Sequence, residues 1–115
     1  MVRIGSIVWG VRDVPRAIRF WCDALDYKPL REPSEDWAIL VPREGSGAQM
    51  AITLVTSDAD THQRHHLDLY ATDQRAEVDR LIGLGAREVD WRYPDDADYV
   101  VLADPEGNKF CVVQK

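Results

Sequence analysis

The 115-residue sequence has no apolar run long enough to cross a bilayer, no CxxC pair and no basic excess, and each lack removes a class of function. A helical membrane span needs about 20 consecutive apolar residues, and every apolar stretch here is interrupted well before that. Its N-terminal stretch, MVRIGSIVWGVRDVPR, has a charge at Arg3, a short apolar run and no small-residue cleavage site. It therefore reads as a first strand and not as a signal peptide, and the expected location is the cytoplasm. Only two cysteines occur, Cys22 and Cys111, one in a predicted helix and one on the last predicted strand. That count and spacing exclude a disulfide framework, a zinc knuckle and a dithiol redox centre, so free thiols are expected. Positive charge is short as well: residues 1–57 hold seven basic and seven acidic side chains, residues 58–115 seven and thirteen, and the net is −6. Nucleic acid is not an expected partner, because phosphate binding needs a basic face.

What the chain does have is length for one ordinary domain and a pattern that occurs twice. A chain of this size buries about two thirds of the surface its unfolded form exposes and needs no staples. Asp13 opens DVPRAIRFWCDAL after the apolar stretch IGSIVWGV, and Asp73 opens a second helical pattern after HHLDLYAT. The same offset matches Asp36 with Asp96, Val41 with Val101 and Gly47 with Gly107. Two like modules, 1–56 and 65–115 joined by a linker at 57–64, are expected to form a single domain.

In the first module a strand over 4–11 alternates Ile4, Ser6, Val8 and Gly10 on one side with Ile7, Trp9 and Val11 on the other. Asp13 is a suitable N-cap, and Pro15 is tolerated in the first turn. Val14, Ala17, Ile18, Trp21 and Leu25 then form one buried stripe, with Arg16, Arg19 and Asp23 toward water. Strands follow at 27–31, 37–41 and 49–56, the last with Gln49, Ala51, Thr53 and Val55 on one face. The second module repeats the order: a strand at 65–71, a helix after Asp73 stopped by Gly85, and strands near 87–92, 99–103 and 110–113. In that helix Val78, Leu81, Ile82 and Leu84 supply the buried stripe, while Glu77, Asp79 and Arg80 face out. Gly85 suits the left-handed residue that closes many helices, and DPEGN reads as a tight reversal at Pro105 and Gly107. Each sheet would bend away from its helix, so that eight strands join into one cup lined by the side chains opposite the helices.

His62, His65 and His66 look like a metal cluster, but strand alternation sends His65 and His66 to opposite faces. His66, Asp68 and Tyr70 share the face away from the helix. A mid-strand carboxylate at Asp68 meets a partner such as Arg64, faces a wet cavity, or serves as a general acid or base. Tyr70, Trp37, Trp91, Tyr93 and Tyr99 read mostly as packing, with one or two forming an aromatic wall. Cys111 reads as a small buried hydrophobe.

The element order, together with D-x-x-R-A-x-x-F-W at Asp13–Trp21, HLDL at His66–Leu69, LGA at Leu84–Ala86 and VVLADPEGNKFCVV at Val100–Val113, resembles the vicinal oxygen chelate superfamily. This is the glyoxalase, bleomycin-resistance and extradiol dioxygenase group, and the likeness covers nearly the whole chain. It implies an α+β fold of two βαβββ modules forming a curved eight-stranded cup, and a homodimer. Members with metal chemistry place a ligand on the first and last strand of each module. In this sequence those positions fall on His66 and Cys111, the latter where the family usually has glutamate, and on Ser6 and Ala51. One imidazole, one thiol, one hydroxyl and one methyl are not the ligand set of a catalytic metal. The expectation is therefore a glyoxalase-like protein with a degenerate metal site and no cofactor, which binds a small molecule in the cup. His66 and Asp68 are the candidate catalytic pair, and Ser6, Val8, Ala51, Thr53, Tyr70 and Cys111 line the ligand. The alternatives are a metal-dependent lyase, isomerase or dioxygenase, with a divalent metal on His66 and Cys111 aided by Asp68, and a protein that sequesters cationic antibiotics. A structural partner domain with a closed cup is a third.

Overall fold

A computed structural model of the chain describes residues 1–56 and 63–115. Most of the expected linker, 57–62, and with it His62, lies outside the described residues. Ten elements follow one another: β1 (Arg3–Val11), α1 (Val14–Leu25), β2 (Tyr27–Pro29), β3 (Trp37–Pro42), β4 (Gln49–Leu54), β5 (His65–Ala71), α2 (Gln74–Gly83), β6 (Arg87–Glu88), β7 (Tyr99–Ala103) and β8 (Lys109–Gln114). This is the mixed α+β order βαβββ twice over. The chain divides into two compact units, Ser6–His65 and Met1–Gly5 with His66–Lys115. The first five residues thus pack with the second module.

Within Ser6–His65, β1 runs parallel to β4 with Val8 opposite Ala51. β3 is antiparallel to β4 and to β2. The alternation of these strands sorts their side chains as the sequence predicts. One face carries Ala38, Leu40, Met50 and Ile52, which form a buried cluster with Val14 of α1, and Trp9, Ala17, Ile18 and Trp21 pack on it. That cluster holds α1, whose N-cap is Asp13: the Arg16 N–H donates to its Oδ1 at 3.0 Å. The helix ends on Asp26 in the left-handed conformation, φ 57°, and the Asp26 carboxylate faces Arg43 at 3.4 Å. Leu25, expected in the buried stripe, is exposed because it stands in the last turn.

The second unit repeats the arrangement: β5 parallel to β8, β8 antiparallel to β7, β7 antiparallel to β6. Asp73 caps α2 by accepting from the Ala76 N–H at 3.2 Å. At the other end Ala86 N–H donates to Leu81 O and Gly85 N–H to Ile82 O, each at 3.0 Å, with Gly85 at φ 120°. These two bonds are the Schellman closure that the glycine predicts. Ala71, Val78, Leu102 and Val112 form the buried cluster beneath the helix. Two glutamine amides fasten the helix start: Gln74 Nε2 donates to Asp98 O and Val112 O, and Gln114 Nε2 donates to Thr72 O while its Oε1 accepts from the Gln74 N–H.

Three expectations for this unit need correction. Glu77, placed on the outer face by helical spacing, is 7% exposed, with the Met1 ammonium and Arg80 at its carboxylate, and both hold its pKa below the ordinary value. Burial of that acid is tolerable because two cations accompany it. The expected stripe also ends early: Ile82 is 37% exposed in the last turn, and Leu84, as the C-cap past it, is 69% exposed. The strand expected over 87–92 pairs only at Arg87 and Glu88.

Candidate small-molecule site in the second module

Strand alternation puts His66, Asp68 and Tyr70 of β5 on the face opposite α2, and the parallel register with β8 sets Cys111 beside Asp68. Together with Trp91, Asp98, Tyr99, Val113 and Lys115 they line a pocket of about 390 Å³. That volume lies at the small end of the range for organic ligands. His66 Nε2 stands 3.3 Å from Asp68 Oδ1, both side chains about one third exposed or less. The Cys111 thiol is pushed up to about 12, first by burial and then by the charge of Asp68 and a hydrogen bond to it. The Tyr70 ring lies flat over Gly5, where an added Cβ would come within 2.4 Å of its carbons. The Arg3 guanidinium and the Lys115 ammonium each stand 5.3 Å from its centre. Tyr93 is structural: its hydroxyl accepts from the Val101 N–H at 2.8 Å. Trp37 belongs to the other unit and is partly exposed.

Of the eight expected site residues, the candidate catalytic pair and the six lining the ligand, the pocket gathers His66, Asp68, Tyr70 and Cys111. Ser6, Val8 and Ala51 are buried in the first unit, where Val8 and Ala51 pack with Ile39, and Thr53 is half-buried. Asp68 is partnered by His66 and Cys111, whereas Arg64 donates to Gly10 O at 3.2 Å. Asp98, Val113 and Lys115 are the pocket residues that sequence reasoning missed. Val113 and Lys115 follow Cys111 at steps of two along one strand face, a signal that could have found them. Asp98 stands in an acidic stretch before β7 and carries no such signal.

One atom each of His66, Asp68 and Cys111 could hold a metal ion, and the three lie within 4.8 Å of one another. The Asp68 carboxylate is engaged by the imidazole and by the thiol, and the usual last-strand glutamate is replaced by that thiol. In the first unit the corresponding positions offer the buried Ser6 hydroxyl, which has no hydrogen-bond partner among the described residues, and the Ala51 methyl. This donor set does not fit a divalent centre of the superfamily's kind.

Residues 6–113 match the model of the glyoxalase-like domain. The chain belongs to this family, within the vicinal oxygen chelate superfamily. No curated protein matches it. Among solved structures it is similar to a glyoxalase/bleomycin resistance protein/dioxygenase superfamily member from Vibrio splendidus, with TM-score 0.66, 12% identity and full coverage of both chains. It is also similar to methylmalonyl-CoA epimerase from Mycobacterium tuberculosis, with TM-score 0.65 and 21% identity over 96% of this chain and 85% of that one. A Legionella pneumophila protein described as an NAD-dependent benzaldehyde dehydrogenase gives TM-score 0.67 at 14% identity, over 94% and 96%. At these identities the likeness establishes the fold.

Proposed function

We propose that this protein binds a small organic molecule in the second-module pocket without a resident metal. The observation that carries the reading is the open, aromatic-walled pocket lined by Asp68, which accepts from Cys111 and faces His66. A ligand with a cationic or hydrogen-bond-donating group fits Asp68 and Asp98, with Trp91 and Tyr99 against its apolar part. Antibiotic sequestration is one form of that reading. The protein acts as a homodimer in the cytoplasm.

A second reading, a lyase, isomerase or dioxygenase of the glyoxalase type, is favoured by the three potential donor atoms within 4.8 Å. Thermal melts separate the two. Wild type and His66→Ala are each melted with zinc, nickel or EDTA. A metal bound only by the folded state adds about 2.7 kcal/mol at a hundredfold excess over Kd. Equal melting in all conditions supports the metal-free binder. A metal-dependent rise in wild type that disappears in His66→Ala establishes the metal-dependent reading instead.

A further inference from the structure

The first module carries a second cavity, of about 530 Å³, between β1 and α1 on the side of the strand that faces the helix. Its walls are aromatic. Trp9 and Trp21 meet edge to face at 5.8 Å, Phe20 meets Trp21 the same way at 5.0 Å, and the His65 imidazole lies flat on Trp9 at 3.7 Å with 3° between the planes. Phe20 is 60% exposed and stands one turn after Arg16 on α1, where both line the cavity. A large ring there adds little to the core.

Among the described residues the rim is positive, in a chain whose net charge is −6. Of the described residues, Arg12, Arg16 and Arg64 line the cavity with one carboxylate, Asp13, whose Oδ1 caps the helix and whose Oδ2 stands 4.0 Å from Arg16 Nε, at an exposed pair that a ligand carboxylate can displace. His65 Nδ1 accepts from the Gly10 N–H at 3.2 Å, so the proton of the neutral ring sits on Nε2 and makes it a donor. Burial and the neighbouring Arg64 favour that neutral form.

We propose that this cavity binds a small planar organic anion, an aromatic carboxylate, with its ring against Phe20 and Trp21 and its carboxylate at Arg16. A guanidinium presents two parallel N–H groups that match a carboxylate, which an ammonium does not. A cationic ligand would be repelled by the same rim, and an inorganic anion would leave the aromatic walls unused. None of the lining residues belongs to the second-module pocket, so the inference is independent of the function proposed above.

The test uses 2-naphthoate as probe, with naphthalene-2-carboxamide and inorganic phosphate as comparisons, read by calorimetry and by the indole N–H resonances of the tryptophans. Naphthoate is expected to bind and to move the Trp9 and Trp21 resonances while Trp91 stays in place. Arg16→Gln and Phe20→Ala should each weaken it by about fivefold or more, a loss typical of one charge-assisted contact or one ring contact. Arg75→Gln, which removes an exposed guanidinium on α2, should not. Circular dichroism and melting of each variant establish that it is folded. Any of three results overturns the proposal: carboxamide or phosphate binding as tightly as naphthoate, naphthoate shifts centred on Trp91, or no naphthoate binding up to millimolar concentration.

Discussion

Cys111 and Asp68 face each other across a parallel strand pair, and the thiol donates its hydrogen to the carboxylate. The pair makes a half-buried thiol a poor nucleophile: desolvation, then the adjacent negative charge, hold its pKa near 12. In a Cys22→Ser background, Cys111 should react with iodoacetamide far more slowly in the folded protein than after unfolding. Asp68→Asn should accelerate the folded-state reaction a few-fold, by removing the charge while burial persists. An unchanged rate in Asp68→Asn would show that burial alone holds the proton.

Tyr70 owes its position in the pocket to the bare Cα of Gly5. Gly5→Ala should displace the ring and destabilise the protein by about 1–3 kcal/mol, the usual cost of overpacking. In a domain of this size the melting temperature should fall by at least about 4 °C. Tyr70→Ala should remove most of that penalty, so a double-mutant cycle should give strong coupling between the two sites. Additive effects would refute the contact.

His65 titrates below its ordinary value of 6.5 because burial and Arg64 oppose its charge. Above that value neither the folded nor the unfolded form is protonated. As pH falls through it the unfolded chain takes up a proton first, so stability is lost between 6.5 and the lower folded value. Protonation of the folded form would also turn Nδ1 from acceptor to donor, against the Gly10 N–H. NMR titration should place the imidazole midpoint below 6.5, and His65→Asn should flatten the stability profile over that interval. A midpoint above 6.5 would contradict the structure.

Asp13 and Asp73 occupy equivalent caps. Asp13→Ala and Asp73→Ala should each cost about 1 kcal/mol, measured by urea unfolding, while the asparagine variants retain most of the stability. An alanine variant as stable as wild type would show that water replaces the cap without cost.

Features that depend on a local repeat were legible in the sequence. Both caps, the Gly85 stop and the face shared by His66, Asp68 and Tyr70 follow from spacing within one element. Features that depend on a distant partner were not. Glu77 reads as an outward residue until Met1 and Arg80 arrive to neutralise it. Cys111 meets Asp68 only through the register of two strands separated by a helix and two further strands. Strand alternation separates His65 from His66, but nothing local says that His65 will lie on Trp9. Leu25 and Leu84 continue the apolar rhythm of their helices after the supporting sheet has ended. The strand expected over 87–92 stops after Glu88, since alternation signals a strand without supplying a neighbour for it.

The amides of Gln74 and Gln114 carry a consequence for chemical ageing. Hydrolysis of the Gln74 amide leaves a side chain of nearly the same size, but exchanges an NH₂ that gives hydrogens to Asp98 O and Val112 O for an oxygen that repels both. The same change at Gln114 would set a negative charge against Thr72 O. A lesion that shifts the mass of the protein by about one dalton would release the first turn of α2 from the last strand. Storage at high pH and temperature should therefore loosen this end of the second module while its buried cluster stays packed.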